Sequence, residues 1–509
     1  MRVVVIGAGL AGLAAACHLT GRGYEVTVVE REDVPGGRNG LIVRDGFTFD
    51  TGPSVLTMRD LIADPLRAVG ADLDDMIPMR RLDPAYRAQF ADGSTIRVRY
   101  GREAMRTEIA DTCGSVDAAA FDGFVDWLQD LYVAEMPHFI DRNFNSPLDL
   151  LSRPDVAAKL VRLGGFGRLG NAIRRRFTDD RLHRLFSFQA MYAGLAPDEA
   201  LAIYAVITYM DSIEGVWFPE SGGMHAVPVA LATAAEKAGA QFRFGASVAD
   251  VLRRSDTGGV AGVRLDSGEQ LAADAVVCTL DLPTAYEKLL PDLTPPRSLR
   301  RPRYSPSAVV WHLGVRGLPE PGVSHHNIHF GHEWGGAFDD LMKRGTLMGD
   351  ASRLVTIPSL DDPSLAPEGC STLFVLEPVP NLADGHIDWV RERGPIRERL
   401  LGFLEQEGYP TDVVTEELVT PLDWQQQGMA AGTPFALAHT FAQTGPFRPP
   451  NVERRVPGLV FAGSGTVPGV GVPMVLISGK LSADRVEAYL GGGAVGRTIA
   501  RRSTRRLTT

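Results

Sequence analysis

Near the amino terminus an apolar run, Val3 to Ile6, breaks into Gly7-Ala8-Gly9-Leu10-Ala11-Gly12. A run of small residues, Leu13 to Gly21, then leads into a second apolar stretch, Glu25 to Glu30. Strand, glycine turn, helix and strand within about 30 residues make a βαβ unit, and an acidic residue, Glu30, closes it. Each residue type answers a physical need. The first glycine permits a tight turn, the second lets the backbone approach a pyrophosphate, and the third packs helix on strand. The helix start offers unpaired N–H groups and a positive dipole end to phosphates. Glu30 can accept hydrogen bonds from a ribose diol and would repel a 2′-phosphate, so the pattern disfavours NADP and leaves NAD or FAD.

Composition limits the remainder. The 509 residues are 44% apolar and 22% charged, the profile of a globular protein, and a prior of about 150 residues per domain predicts roughly three units. Lys plus Arg number 52 against 62 Asp plus Glu, a net charge of -10, which argues against a nucleic-acid partner. Cys17, Cys113, Cys278 and Cys370 form no CxxC pair, so neither a zinc ribbon nor a secreted disulfide framework is expected, and a reducing cytoplasm is the default. The N-terminal apolar run is too short for a signal peptide. The longest charge-free stretch, Val456 to Gly479, is interrupted by Pro457, Pro468 and Pro473, which argues against a membrane span. Between Arg153 and Phe177, however, seven cations (Arg153, Lys159, Arg162, Arg168, Arg174, Arg175, Arg176) face one acid, Asp155, amid apolar residues. Such a segment can lie on anionic lipid or be an ordinary exposed helical face.

The order of patterns predicts a discontinuous Rossmann-like nucleotide domain from residues 1–70, 220–290 and 450–490. Its later parts are a helix from Ala226 to Ala238, a strand from Gln241 to Phe244, a hairpin around Asp266-Ser267-Gly268, a strand from Ala275 to Thr279, and a final helix opened by Pro473. Residues 71–102 and 295–445 read as an α+β second domain, with a hairpin around Asp92-Gly93, strands at Val309 to Leu313 and Thr372 to Leu376, and a helix near Trp389 to Glu407. Residues 103–215 carry helical spacing almost throughout, with Phe121, Phe124, Val125, Leu128 and Leu131 on one face, and read as a helical insertion. Residues 491–509 form a basic tail.

Gly36-Gly37-Arg38 follows the second strand, and Phe49-Asp50-Thr51-Gly52-Pro53-Ser54 adds another glycine turn. With these motifs the chain resembles the flavin-dependent amine oxidase and phytoene desaturase superfamily. The likeness narrows downstream to bacterial-type carotenoid desaturases, on Gly215-Val216-Trp217-Phe218-Pro219, on Asp362 to Gly369, on Gly432-Thr433-Pro434-Phe435 and on Phe461 to Pro473. Gly223-Met224-His225 departs from the usual pattern of these relatives. The resemblance implies an α/β fold with a discontinuous FAD-binding domain, an α+β substrate domain and a membrane-facing helical insertion. It implies FAD, held by Gly7, Ala8, Gly9, Leu10, Ala11, Gly12, Glu30, Arg31, Gly37, Arg38, Thr51, Gly52, Pro53, Ser54, Val248, Gly463, Gly471 and Val472. It also implies a long polyene substrate, phytoene, desaturated toward lycopene with hydride passing to flavin N5. Oxygen or a quinone is the expected terminal acceptor, and the expected location is the inner face of the cell membrane.

No acid–base residue stands out; Asp141, Asp211 and Glu214 lie in or beside apolar stretches and are candidates. His325, His326, His329 and His332 look like a metal cluster, but they fall in a strand-and-loop pattern and no metal is expected. Gly479-Lys480 echoes a P-loop without its first glycine or its hydroxyl residue. Two other functions remain open. One is a flavin oxidase or ketolase acting on another polyene or an amine. The other is a colourless lipid escort like the GDP-dissociation-inhibitor relatives, which would not need the Gly36-Gly37-Arg38 loop.

Overall fold

A computed structural model describes residues 1–491 of the chain; the arginines of the basic tail lie outside the described residues. Strand Arg2–Ile6 pairs in parallel with Glu25–Val29 on one side and Ala275–Cys278 on the other. Gln241–Arg243 and Leu459–Phe461 extend this sheet at its edges, so its five parallel strands come from widely separated parts of the chain. A parallel sheet needs cover on both faces, and alternating side chains supply it. On one face Val3, Val5, Val26 and Val28 pack beneath α1 (Leu10–Gly21), α2 (Ala226–Lys237) and α3 (Val472–Leu490). On the other, Val4, Ile6 and Val29 meet the antiparallel meander of Val248–Arg253, Val260–Leu265 and Gln270–Ala272. α1 begins at Leu10, inside the glycine motif and earlier than the expected Leu13, because Gly9 already acts as its N-cap.

The second sheet has seven strands. The segments expected at Val309 to Leu313 and Thr372 to Leu376 are the middles of two long antiparallel partners, Ser307–Arg316 and Cys370–Val379. His326–Phe330 joins Tyr86–Phe90 in parallel, and the Asp92-Gly93 hairpin closes that edge with Thr95–Val98. Trp311 and Leu313 point back onto Ile396, Leu400 and Leu404 of helix Trp389–Gln406, while Ala308 and Val310 face forward. The Gly215 motif supplies a strap: Val216–Pro219 pairs with both Leu56–Thr57 and Met79–Leu82.

The helical region is less regular than its spacing predicts. Helix Ser115–Glu135 buries Phe121, Phe124, Val125, Leu128 and Leu131 as expected. Beyond it the expected run breaks into short pieces, including Pro147–Ser152, Pro154–Arg162, Leu169–Arg174, Asp180–Leu185 and Phe188–Ala193. Proline lacks the N–H that would continue a helix, and glycine favours its end, so Pro137, Pro147, Pro154 and the glycines from 164 to 170 divide the run. Two turns, Met136–Ile140 and Tyr209–Ile213, widen to i→i+5 bonds, with Asp141 N–H donating to Met136 and Glu214 N–H to Tyr209. Among the described residues no helix is long and apolar enough to cross a membrane.

Gly479-Lys480 sits within α3, not in a phosphate loop. A Cβ on Gly479 would overlap the carbonyl of Ala11 and the Cβ of Ala14, so the glycine lets α3 lie directly on alanine-rich α1. Gly479→Ala should therefore cost about 1–3 kcal/mol of stability through overpacking. A lowered thermal midpoint is the expected result, and an unchanged midpoint would contradict this close crossing.

Candidate functional site

One cavity of about 1160 Å3 is lined by both sheets and by the helical region. It exceeds the roughly 300–1,000 Å3 of ordinary small-molecule pockets. The structure brings the expected cofactor residues together on its wall, all except Ala8 and Gly12, which stand behind it. Ala8 donates its N–H to Glu30 Oε2 at 2.6 Å, and a Cβ on Gly12 would overlap the Gly7 carbonyl, so that glycine serves helix-on-strand packing. Gly7 takes φ +100°, with Thr279 where a side chain would stand.

Gly9 differs from these two. Its φ is -71°, which any residue adopts, and the nearest protein atoms to a Cβ there are 3.9 Å away. The fold does not require glycine at this position, and the missing side chain leaves room for a ligand to approach the backbone closely. Gly9 is also the N-cap of α1, which has no side-chain cap and no acid in its first turn. The opening N–H groups of a helix have no partners within it, so the end of α1 presents donors and positive charge to the cavity. Glu30 is buried beside this end, its other oxygen accepting from the Glu32 N–H at 3.0 Å. Unpaired donors, an open glycine and a carboxylate are the set a dinucleotide requires.

The Gly36-Gly37-Arg38 loop lies against the glycine turn. Gly36 donates to the Ala8 carbonyl at 2.9 Å and bridges to Gly9, while Gly37 packs on the Gly9 Cα. Arg38 donates to Ser464 Oγ at 2.6 Å and faces Asp281, whose carboxyl is raised by burial and partly relieved by that guanidinium. Thr51 Oγ1 ties the next turn to this loop, accepting from Gly40 N–H at 2.9 Å and donating to the Arg38 carbonyl at 3.0 Å. Arg31 is exposed, donates to the Gln427 carbonyl at 3.1 Å and pairs with Glu32. Val248 reaches the cavity from the meander.

Other functional supports carry little signal in the sequence. Asp50 accepts from the Met224 and His225 N–H groups, each at 2.9 Å, and burial pushes it up to about 6. His225 donates Nδ1–H to the Asn39 carbonyl at 2.9 Å, so the departure at 223–225 braces the Arg38 loop from behind. Buried Arg448 donates to the carbonyls of Thr466, Gln443, Leu437 and Ser464, and burial pulls it down to about 10. It holds the glycine-rich loop that precedes α3. Its only signal in the sequence is an arginine set between Phe447 and Pro449. α3 itself starts at Gly471 with no side-chain cap, and Val472, Pro473, Met474 and Val475 line the cavity. A second uncapped helix end therefore faces the same space.

Away from these ends the wall is apolar. Ala308, Val310, Ile328, Phe330, Phe374 and Leu376 come from the large sheet, and Leu160, Phe166, Phe188, Ile203 and Met210 from the helical region. Of the candidate acids, Asp141 pairs with Lys480, Glu214 is exposed, and Asp211 is buried on the cavity wall. Three of the histidines hold separate partners: His325 with Asp361, His326 with Thr356, and His329 with Tyr409 and Glu407. Among the described residues no three His, Cys, Asp or Glu side chains converge as a metal site. The cationic segment is less bare than its sequence implies. Lys159 pairs with Asp130 and Arg174 with Asp198, acids from outside the segment, while Arg153 pairs with Asp155 and Arg176 stacks 3.9 Å from the Trp127 ring.

Fold and site together define a FAD-dependent oxidoreductase. Residues 10–487 match the model of the flavin containing amine oxidoreductases. The chain is 51% identical over 490 residues to a phytoene dehydrogenase of Streptomyces griseus, covering 95% of this chain and 94% of that one. It is 37% identical over 497 residues to a zeta-carotene-forming phytoene desaturase of Myxococcus xanthus, covering 96% and 94%. Among solved structures, an oxidoreductase from Methanosarcina mazei aligns with a TM-score of 0.62 at 19% identity, covering 94% of this chain and 99% of that one. Putrescine oxidase bound to putrescine aligns with a TM-score of 0.59 at 16% identity, covering 96% and 99%, which shows a shared fold. The chain belongs to the flavin containing amine oxidoreductase family and, within it, to the carotenoid desaturases.

The open space at Gly9 yields a direct test. Gly9→Ala should leave the stability of the FAD-free protein nearly unchanged yet weaken FAD binding at least tenfold, because only the ligand competes for that volume. Fluorescence titration with FAD beside a thermal melt measures both, and unaltered FAD affinity would refute this placement of the diphosphate.

Proposed function

We propose that this enzyme desaturates phytoene to lycopene or to a partly desaturated intermediate, at the inner face of the cell membrane. The observation that carries the reading is one continuous cavity whose wall changes from helix ends, glycines and a buried carboxylate to apolar side chains. In this reading Glu30 holds the adenosine ribose, the first turn of α1 and the Arg38 loop hold the diphosphate, and Gly463, Gly471 and Val472 face the ring system. FAD bound there supplies the hydride acceptor that desaturation needs. The protein's own contribution is binding, orientation and exclusion of water. A hydrocarbon has no polar handle, so Val310, Ile328, Phe330, Phe374 and Leu376 hold it by apolar burial, worth about 0.8 kcal/mol per methylene. The N-terminus of α3 adds partial positive charge at the far end of the cradle.

The same apolar burial keeps the substrate in a bilayer, so the mouth of the cavity must meet lipid. Leu150, Leu160 and Phe166 line the cavity where Leu148, Val161 and Phe166 are exposed to solvent. These apolar residues, beside the cations of the same segment, are the proposed docking edge.

Two measurements test the reading. Anaerobic mixing of holoenzyme with phytoene in liposomes should bleach the visible flavin bands and yield a coloured polyene. Bleaching by an amine or another polyene, but not by phytoene, would overturn it. Val161→Asp with Phe166→Ser should lower flotation with anionic liposomes at least about tenfold, from the loss of roughly 1.5–3 kcal/mol per buried side chain. Unchanged flotation would move the docking edge elsewhere.

A further inference from the structure

We propose that the carboxylate of Asp211 accepts the proton that the hydrocarbon loses during desaturation, a catalytic role that rests on the functional reading above. Converting a CH–CH unit to a double bond removes a hydride and a proton. The hydride carries both electrons of one C–H bond to bound FAD. The proton leaves the neighbouring carbon for an Asp211 oxygen, and the electron pair it leaves behind becomes the π bond. Where the wall is apolar a released proton has few acceptors, so a carboxylate on that wall can serve as the base.

Six carboxyl side chains face the cavity: Glu30, Glu32, Glu135, Asp211, Asp266 and Asp281. Glu32 and Asp266 are exposed, and Glu30 and Asp281 are engaged by backbone N–H groups at the nucleotide end. Glu135 is buried with Oε1 unpartnered and, among the described residues, no donor side chain set against it, and burial lifts it far above the ordinary carboxylate range. Asp211 is different. It is 2% exposed, its Oδ1 accepts from Ser212 Oγ at 2.7 Å, and its Oδ2 accepts weakly from Gln189 Nε2 at 3.4 Å.

The groups facing Asp211 come from three elements: Tyr86 on the large sheet, Gln189 and Tyr192 on the Phe188–Ala193 turn, and Ser212 beside it. Among the described residues no cation is in this group. His326, whose ring lies 5.6 Å from that of Tyr86, is kept neutral by burial. Buried Tyr86 Oη makes no hydrogen bond among the described residues and lies near both Tyr192 and Asp211, so its O–H can turn to either. Burial against these neutral donors raises Asp211 to about 7, where it can take up and release a proton at neutral pH.

Backbone geometry places the group. Asp211 lies in the widened turn Tyr209–Ile213, a distortion often found at functional sites. Its neighbour Met210 belongs to a buried cluster with Met58 and Val206 against which Met474, in the first turn of α3, packs, and Met210, Asp211 and Met474 all line the one cavity. After accepting a proton Asp211 is neutral, the state an apolar chamber favours.

Anaerobic single-turnover mixing with phytoene liposomes tests the role. In the wild type the rate of flavin bleaching should rise with pH through about 7. Asp211→Asn should slow bleaching by about 100-fold or more and flatten the pH profile, and Asp211→Glu should restore part of the rate and the slope. A second readout needs no turnover: difference infrared spectra of the FAD-free protein should show a buried carboxyl C=O band titrating near neutrality, lost in Asp211→Asn and kept in Glu135→Gln. A flat wild-type profile across neutrality, or wild-type rate and slope in Asp211→Asn, overturns the proposal and leaves the desaturase reading standing. A wild type that phytoene never bleaches removes both.

Discussion

A helix that begins inside a protein leaves N–H groups without partners, and such an end is tolerated only where something satisfies them. Here two helices begin at the wall of one cavity, α1 at Gly9 and α3 at Gly471, and neither is capped by a side chain. Much of the surrounding architecture keeps these two ends open and correctly aimed. Gly12 and Gly479 let α1 lie against the strand turn and against α3. The Gly36-Gly37 loop packs on the turn from one side, and Arg448 ties down the loop before α3 through four carbonyls. Glycines and the buried Arg448 thus shape the wall around both helix ends.

The cavity combines two solvents in one space. Its nucleotide end is built from backbone donors and a carboxylate, which suit charge and ribose hydroxyls, and its other end from aliphatic and aromatic side chains, which suit hydrocarbon. The large sheet makes this division possible because successive residues of Ser307–Arg316 face opposite ways: Val309 and Trp311 seal against a helix, while Ala308 and Val310 remain available to the cavity. Against that wall a buried acid is conspicuous. Within the helical region the two widened turns, after Glu135 and around Asp211, both occur where it approaches the cavity, whereas a third, Asp340–Arg344, lies elsewhere.

Some of this is legible in the sequence. The glycine turn, Glu30 and the Arg38 loop carry spacing constraints strong enough that the cavity gathers nearly every residue they imply. Helix Ser115–Glu135 is visible because its apolar stripe repeats over many turns. Beyond it, local spacing misleads: prolines and glycines cut the pattern, and the pieces hold together through packing. Charge misleads as well. The cations after Arg153 look unbalanced in sequence, yet Asp130 and Asp198 arrive from other segments to neutralise two of them.

The sequence by itself determined the βαβ opening, the discontinuous parallel sheet and the glycine turns that line the cavity, because each rests on short-range requirements: a φ only glycine adopts, a helix start, an alternation of valines. Only tertiary structure decided what Asp50, Asn39, Asp281 and Arg448 do, and which of three candidate acids faces the cavity. Partners far apart along the chain define those roles. Burial, which sets the proton affinity of Asp211 and engages Asp141 with Lys480, is a property of the packed molecule and of no local segment.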